Sequence, residues 1–218
     1  TAKRKGRNRI HVYQTNDAEL TQHSNEMQWG ARITQALEEN RFALFCQPIA
    51  ALTPHARERS HYEILARMLD PDGQMIAPEV FLPAAERFNL MPAIDRWVVR
   101  QVISWLTTLS PERVPIYSIN LSGASLADDT LLDFVREQLI LHRVPGHMLC
   151  FEIAEMTAID NLAQTTHFFR EIKTLGCQTT LDNFGSTLSS IACLQVLQVD
   201  YLKINGALVK DIVQDRNA

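Results

Sequence analysis

The chain has 218 residues, 46% of them hydrophobic and 21% charged, with a formal net charge of −4. That balance excludes a disordered or fibrous chain, and the acidic excess argues against a general nucleic-acid binder. No apolar run approaches the roughly 20 residues that a membrane-spanning helix needs. The opening, Thr1 to Arg9, is basic and has no apolar core, so it does not read as a secretory signal. With no initiator Met at its head, the chain reads as a fragment or a processed product.

The first segment differs in composition from the rest of the chain. Lys3, Arg4, Lys5, Arg7 and Arg9 crowd together ahead of a strand-like Ile10-His11-Val12-Tyr13, and then Gln14 to Glu26 is polar apart from Ala18 and Leu20. Such a run is a solvated edge or linker before it is a phosphate contact, and the boundary is placed near Asn25. Beyond it, Trp29, Ile33 and Leu37 recur at helical spacing. Phe42 to Cys46 reads as a strand ending at Gln47-Pro48, and Tyr62 to Met68 as a second strand. Helical spacing returns in Phe81 to Phe88 and in Ile94, Trp97, Val98, Val102, Trp105 and Leu109. Ile116 to Leu121 is a third strand. Asp128 is placed to cap a helix that carries Leu131, Leu132, Val135 and Leu139. Met148 to Ile153 is a fourth strand, and a helix carrying Leu162, Phe168, Phe169, Ile172 and Leu175 stops at Gly176. Thr179 to Leu181 opens a fifth strand, and Tyr201 to Ile204 forms a sixth.

Strands alternating with helices of this length imply βα units and a parallel sheet. The expected class is α/β, a TIM-like (β/α)₈ barrel, and six strands leave it two short of closure. The four cysteines, Cys46, Cys150, Cys177 and Cys193, lack CxxC spacing. They read as reduced residues of a cytoplasmic protein rather than as disulfides.

Each inner strand carries a polar residue that a core would not choose: Glu63, Asn120, Glu152, Asp182 and Lys203. One buried carboxylate near a strand end is by itself a cap or an ion-pair partner. Five such residues on successive strands of a barrel converge on one mouth, at the C-terminal ends of the strands. Gathering carboxylates there without partners is expensive, and a cation resolves the difficulty. Three carboxylates and an amide oxygen, with no suitably spaced His or Cys, are a hard-oxygen set suited to Mg²⁺ or Mn²⁺. Ions of this kind clamp phosphate and activate water, so phosphodiester hydrolysis is the chemistry to look for.

Six ordered motifs make the reading specific. Gln47-Pro48-Ile49, Glu63-Ile64-Leu65-Ala66-Arg67, Asn120-Leu121-Ser122, Glu152-Ile153-Ala154-Glu155, Asp182-Asn183-Phe184-Gly185 and Asp200-Tyr201-Leu202-Lys203-Ile204 occur in the order found in the EAL domain family. The resemblance covers about residues 27–213. It implies a bacterial signalling domain that binds cyclic di-GMP and, if active, cuts it to linear pGpG. It also implies Glu63, Asn120, Glu152 and Asp182 as ligands of a first metal, with Lys203 holding the attacking water or a phosphate oxygen. Glu155 would brace the loop after the fifth strand. Gln47, Leu65, Arg67 and Asn183 would line the substrate site, with Arg67 on a phosphate; the plainer reading of Arg67 is a salt bridge at the barrel rim. His61, beside Glu63, is left without a role because strand alternation does not fix its direction.

The leading Ala2 to Tyr13 resembles the last strand of a GGDEF domain, so residues 1–25 read as its tail with a linker and residues 26–218 as an EAL domain. The implied partners are cyclic di-GMP, that upstream domain and a second copy able to pair with an unclosed sheet edge. No DNA and no membrane segment in this chain are expected. Three departures cluster on one side of the site. Asn183 stands where hydrolases of the family carry a second Asp, Ser186-Thr187-Leu188 replaces a small Gly-containing stretch, and Asn205 follows Lys203-Ile204 in place of Asp. An amide at 183 removes one negative charge from a second metal site, so the expectation is impaired turnover with ligand binding retained. The alternatives are a receptor without turnover and an interaction scaffold.

Overall fold

The computed structural model describes residues 18–53, 59–109, 115–186 and 190–210. The strand-like Ile10 to Tyr13, the basic run before it, and Thr187 and Leu188 lie outside the described residues. The elements are α1 (Ala18–Glu38), β1 (Phe42–Ile49), β2 (His61–Leu69), β3 (Met75–Ile76), α2 (Pro78–Arg87), α3 (Met91–Leu106), β4 (Ile116–Asn120), α4 (Gly123–Leu126) and α5 (Leu131–His142). They continue with β5 (Leu149–Ala154), α6 (Glu155–Asp160), α7 (Leu162–Thr174), β6 (Gln178–Phe184), α8 (Ser190–Val196), β7 (Tyr201–Ile204) and α9 (Gly206–Val209).

The described residues divide into two compact units, those up to residue 42 together with 68–90, and those of 43–67 together with the ones from 91 onward. In the first, Ile33 and Ala36 of α1 are fully buried and Phe42 meets Phe81 edge-on at 5.8 Å. The end of β2 pairs antiparallel with the two-residue β3, and Asp70 Oδ1 shapes the turn between them by accepting from Asp72 and Gln74 N–H. Helix α1 passes through Asn25, the position at which composition changes.

The second unit carries the site. The strands follow the order β1-β2-β4-β5-β6-β7, with parallel pairing from β2 through β7. Ile116, Tyr117, Ile119, Leu149, Phe151, Ile153 and Leu181 are buried, and so are Val98, Val102, Val135, Phe168, Phe169 and Ile172 from the helices. Apolar residues on both faces of a strand are what a parallel sheet covered by helices requires. This is the α/β, TIM-like architecture expected from the alternation, and its sheet path is open among the described residues.

Several local expectations need correction. Asp128 does not cap α5: Thr130 is the N-cap residue, with no side-chain cap bond, and Asp128 Oδ1 accepts from Thr130 N–H and Oγ1 instead. Leu162, read as an inward residue, is exposed at the start of α7, and Trp105, also partly exposed, still packs edge-on against Tyr117 at 5.1 Å. Cys150, Cys177 and Cys193 are buried free thiols as expected, whereas Cys46 lies exposed on β1. Gly176 follows the end of α7 at φ +80°, a conformation that glycine adopts without a Cβ penalty.

Candidate functional site

Strand alternation sets the site. Asn120 and Glu152 are register partners, as are Ala154 and Asp182, while Glu63 pairs with Ser118 one step below Asn120. Of these polar residues only Asn120 ends its strand. β2 runs on to Leu69 because Met68 and Leu69 pair with β3, which places Glu63 near its start.

The carboxylates close on one cation. Lys203 Nζ donates to Glu63 Oε2 and to Glu152 Oε2, both at 2.9 Å, and lies 3.5 Å from Asp182 Oδ1. Asn120 Nδ2 donates to Glu63 Oε1 at 3.0 Å. The Glu152 side chain is 1% exposed against 25% for Asp182, so the cluster grades from a dry floor to a wet rim. Burial alone would lower the Lys203 pKa, but the bonds from Glu152 and Glu63 and the charges of Glu152 and Asp182 prevail and raise it. Burial raises the Glu152 pKa, opposed by Lys203 and by the Ser118 hydroxyl. Glu152 Oε1 is buried without a hydrogen-bond partner.

Among the described residues no three His, Cys, Asp or Glu side chains stand ready around a metal; the carboxylates close on Lys203 Nζ. The donors nonetheless suit a hard divalent cation. They are oxygens of Glu63, Asn120, Glu152 and Asp182, they carry three negative charges against the one positive charge of Lys203, and one buried carboxylate oxygen is unsatisfied.

The surroundings divide the remaining sequence-predicted residues. Glu155, fully buried, accepts from Ser186 N–H at 2.9 Å and Ser186 Oγ at 2.6 Å, which ties the loop after β6 to the start of α6. Asn183 is exposed at φ +58°, within the register shift between Leu181 and Phe184, and its Oδ1 accepts from Asn205 Nδ2 at 3.5 Å. Asparagine adopts this left-handed backbone more readily than most residues. Asn205 also caps α9 through Ala207 N–H. Leu65 and Arg67 follow Glu63 on the same face of β2. Arg67 lies 5.9 Å from the Phe45 ring centroid and donates to the Ala66 carbonyl, so it is not brought to the carboxylates. Gln47 is exposed on β1.

A second layer escaped the sequence reading. Two residues before each cluster residue, on the same strand face, stand His61, Ser118, Cys150, Thr180 and Tyr201. His61 Nε2 meets Ser118 Oγ at 2.7 Å, Cys150 Sγ meets Thr180 Oγ1 at 3.1 Å, and the His61 and Tyr201 rings meet edge-on at 5.2 Å. The polar residues at i−2 were the available signal. They were passed over because Ser, Thr and Cys inside apolar runs read as ordinary core.

The chain matches the model of the EAL domain over residues 31–218. It is 42% identical over 97% of its length to the cyclic di-GMP phosphodiesterase PdeB of Shewanella oneidensis and 33% identical over 84% to PdeF of Escherichia coli, spanning about a quarter of each relative. Among solved structures it resembles the FimX EAL domain of Pseudomonas aeruginosa bound to c-di-GMP, with TM-score 0.80 and 36% identity over 85% of this chain and 74% of that one. It also resembles the PaMucR phosphodiesterase in complex with c-di-GMP, with TM-score 0.71 and 29% identity over 87% of this chain and 77% of that one.

Proposed function

This chain belongs to the EAL domain family, and on that premise we propose that it binds cyclic di-GMP above the Lys203 cluster and hydrolyses one phosphodiester to give linear pGpG. The carrying observation is the convergence of Glu63, Glu152 and Asp182 on Lys203, with Asn120 on Glu63. Glu63, Asn120, Glu152 and Asp182 would hold Mg²⁺ or Mn²⁺, which supplies Lewis-acid polarisation of a phosphate and a lowered pKa for its water. Lys203 would steady a phosphate oxygen or the attacking water through an ammonium already held by carboxylates. Arg67 lies four residues along β2 from Glu63, about 13 Å at strand rise, a reach suited to the second phosphate or a base of a dinucleotide. Glu155 keeps the β6 loop in place through Ser186.

Residues 1–25 are taken as the tail and linker of a preceding GGDEF domain and residues 26–218 as the EAL domain; the chain spans about a quarter of its curated relatives, which leaves room for such a domain. A cytoplasmic setting agrees with three buried free thiols, and a second copy pairing at the open edge of β7 is the remaining partner. Among the described residues no helix is long and apolar enough to cross a membrane. Incubation of the protein with cyclic di-GMP and Mg²⁺ or Mn²⁺, followed by chromatography, should release pGpG. One observation favours a second reading, a receptor without turnover. Asn183, an amide engaged by Asn205, offers no charge to a second metal. Intact dinucleotide co-eluting with protein would select the receptor, and neither binding nor cleavage would remove both.

A further inference from the structure

Lys203, the cation of the cluster, stands where strand pairing is least defined. β7 has four residues, and its pairing with β6 shifts between Leu181 and Phe184. Leu202 pairs with Leu181 and Ile204 with Phe184, so Lys203 between them faces two residues of β6, Asp182 and Asn183. A slip of one residue would turn Leu202 or Ile204 toward the carboxylates and Lys203 away from them. The offset is set below the strand. Asp200 N–H donates to the Thr179 carbonyl at 2.9 Å, and Thr179 N–H returns a bond to Asp200 Oδ2 at 2.8 Å. The Thr179 hydroxyl donates to the same oxygen at 3.1 Å, with the Gln198 carbonyl further off at 3.4 Å. Lys173 Nζ, in the last turn of α7, donates to Asp200 Oδ1 at 3.1 Å. Thr179 is fully buried, whereas the Lys173 and Asp200 side chains are 29% and 35% exposed. The bonds to Thr179 therefore outweigh the ion pair, which solvent screens. Above Lys203 the side-chain hold is weaker: Asn205 N–H donates to the Phe184 carbonyl at 2.9 Å, but its amide reaches Asn183 only at 3.5 Å.

We propose that Asp200 is a positioning residue that locks β7 in register on β6 and thereby holds Lys203 Nζ among the carboxylates. Asp200 lies three residues from Lys203, about 10 Å at strand rise, so it acts through the strand rather than on the ligand. The proposal rests on the reading of Lys203 as the group that steadies a phosphate oxygen or the attacking water. A carboxylate suits the task, because one of its oxygens accepts both donors of Thr179 at once and its charge strengthens each bond. Slipping the strand by a residue would break these bonds together with the return bond from Asp200 N–H.

Lysine acetylation of the intact protein, read site by site by mass spectrometry, follows the position of Lys203 without turnover or metal. Held by carboxylates, Lys203 should react slowly in the wild type, while Lys210, exposed on α9, reacts freely. Asp200→Ala should speed labelling of Lys203 at least about tenfold, as the loss of two hydrogen bonds implies, and leave Lys210 unchanged. The faster rate should not vary with urea below the unfolding transition, which marks a local opening. A rate that climbs with urea as global unfolding does would reduce Asp200 to a stabilising residue. Asp200→Asn keeps an oxygen for Thr179 and should restore most of the protection, and Lys173→Met should change it less than about twofold. If Asp200→Ala does not fold, Thr179→Val, which removes only the hydroxyl bond, should speed labelling about threefold. Lys203 labelling at the wild-type rate in the variant that folds overturns the proposal. Hydrolysis of cyclic di-GMP separates it from the reading it rests on. A kcat lowered at least about tenfold at unchanged KM, with Lys203 unmasked, supports both. A wild type that neither binds nor cleaves cyclic di-GMP, with Lys203 unmasked locally in Asp200→Ala, refutes the dinucleotide reading and keeps the register lock. Cleavage at the same rate in wild type and Asp200→Ala does the reverse.

Discussion

Asp95 and Glu152 are both buried acids of the second unit, at 4% and 1% exposure, and burial raises the pKa of both. Their partners differ. Asp95 Oδ2 accepts from Ser122 N–H at 2.9 Å, Ser122 Oγ at 2.7 Å and Ser125 Oγ at 2.6 Å. All are neutral donors at the start of α4, and Ser122 in turn caps that helix by accepting from Ser125 N–H. Glu152 has a cation on one oxygen and no hydrogen bond on the other. The first acid gathers three neutral donors on one oxygen, leaves no buried oxygen unsatisfied, and pins α3 to α4. The second leaves capacity open, and a fold carries an unsatisfied buried oxygen only against a cost of about 1–3 kcal/mol. Burial alone therefore does not distinguish a structural acid from a functional one; a buried oxygen left unsatisfied does.

The largest expected effect separates the two on stability. Asp95→Ala strands the Ser122 backbone N–H and the Ser122 and Ser125 hydroxyls, and should lower unfolding free energy by about 3 kcal/mol, read from the urea midpoint. Glu152→Gln should behave oppositely. Lys203 keeps Glu63 and Asp182 as partners, and a near-isosteric amide replaces a buried charge, so stability should move by less than about 1 kcal/mol. Hydrolysis should fall at least a hundredfold, about 2.7 kcal/mol of barrier, and the thermal shift produced by Mn²⁺ should vanish. If Glu152→Gln unfolds the protein as Asp95→Ala does, the division between the two acids fails.

Much of this contrast was open to sequence reading, but unevenly. The strands were legible because apolar runs such as Ile116 to Leu121 are bounded by turn residues. The residues of the Lys203 cluster stood out as charges and amides within such runs. Asp95 did not stand out. It occupies one position of α3 between Ile94 and Trp97, where an acid reads as the solvent side of an amphipathic helix, and its donors lie 27 and 30 residues further on. The short elements β3, α4, α6 and α9 have too few residues to show a period. The same difficulty hid Ser118: one hydroxyl in a buried strand has no pattern of its own until its neighbours across the sheet are known.

Asn183→Asp tests the rim of the cluster rather than its floor. The residue sits exposed in left-handed backbone that Asp also tolerates, so folding should be unaffected while the new charge joins Asp182 beside the cation site. Hydrolysis should rise about tenfold, equal to about 1.4 kcal/mol, as measured by the rate of pGpG release. An unchanged rate would show that the missing charge at this position does not limit turnover. A loss of stability would instead mean that the Asn205 Nδ2 contact holds the loop.

Asp128 supplies the third environment, a carboxylate near the surface with charged and neutral partners, and the smallest effect. Hydrogen bonds from Thr130 and Arg96 hold its pKa down at about 2, from an ordinary 3.8, and Arg96 Nη2 lies 2.7 Å from Oδ2. The side chain is 29% exposed, so solvent screens the pair and its worth is below about 1 kcal/mol. The sign is opposite to that at Asp95 and Glu152. A depressed pKa means that the unfolded chain binds the proton first, so the contribution of Asp128 is whole above about pH 4 and is lost as pH falls through about 2. The two buried acids, with pKa values raised by folding, bind protons first in the folded state and add stability as the pH is lowered. Urea midpoints of wild type and Asp128→Asn should therefore differ by a fraction of a kcal/mol at pH 6 and converge toward pH 2. A gap that persists unchanged at pH 2 would show that the Asp128 contribution comes from hydrogen-bond geometry that its protonated form preserves, and would remove charge as the source of its stabilisation.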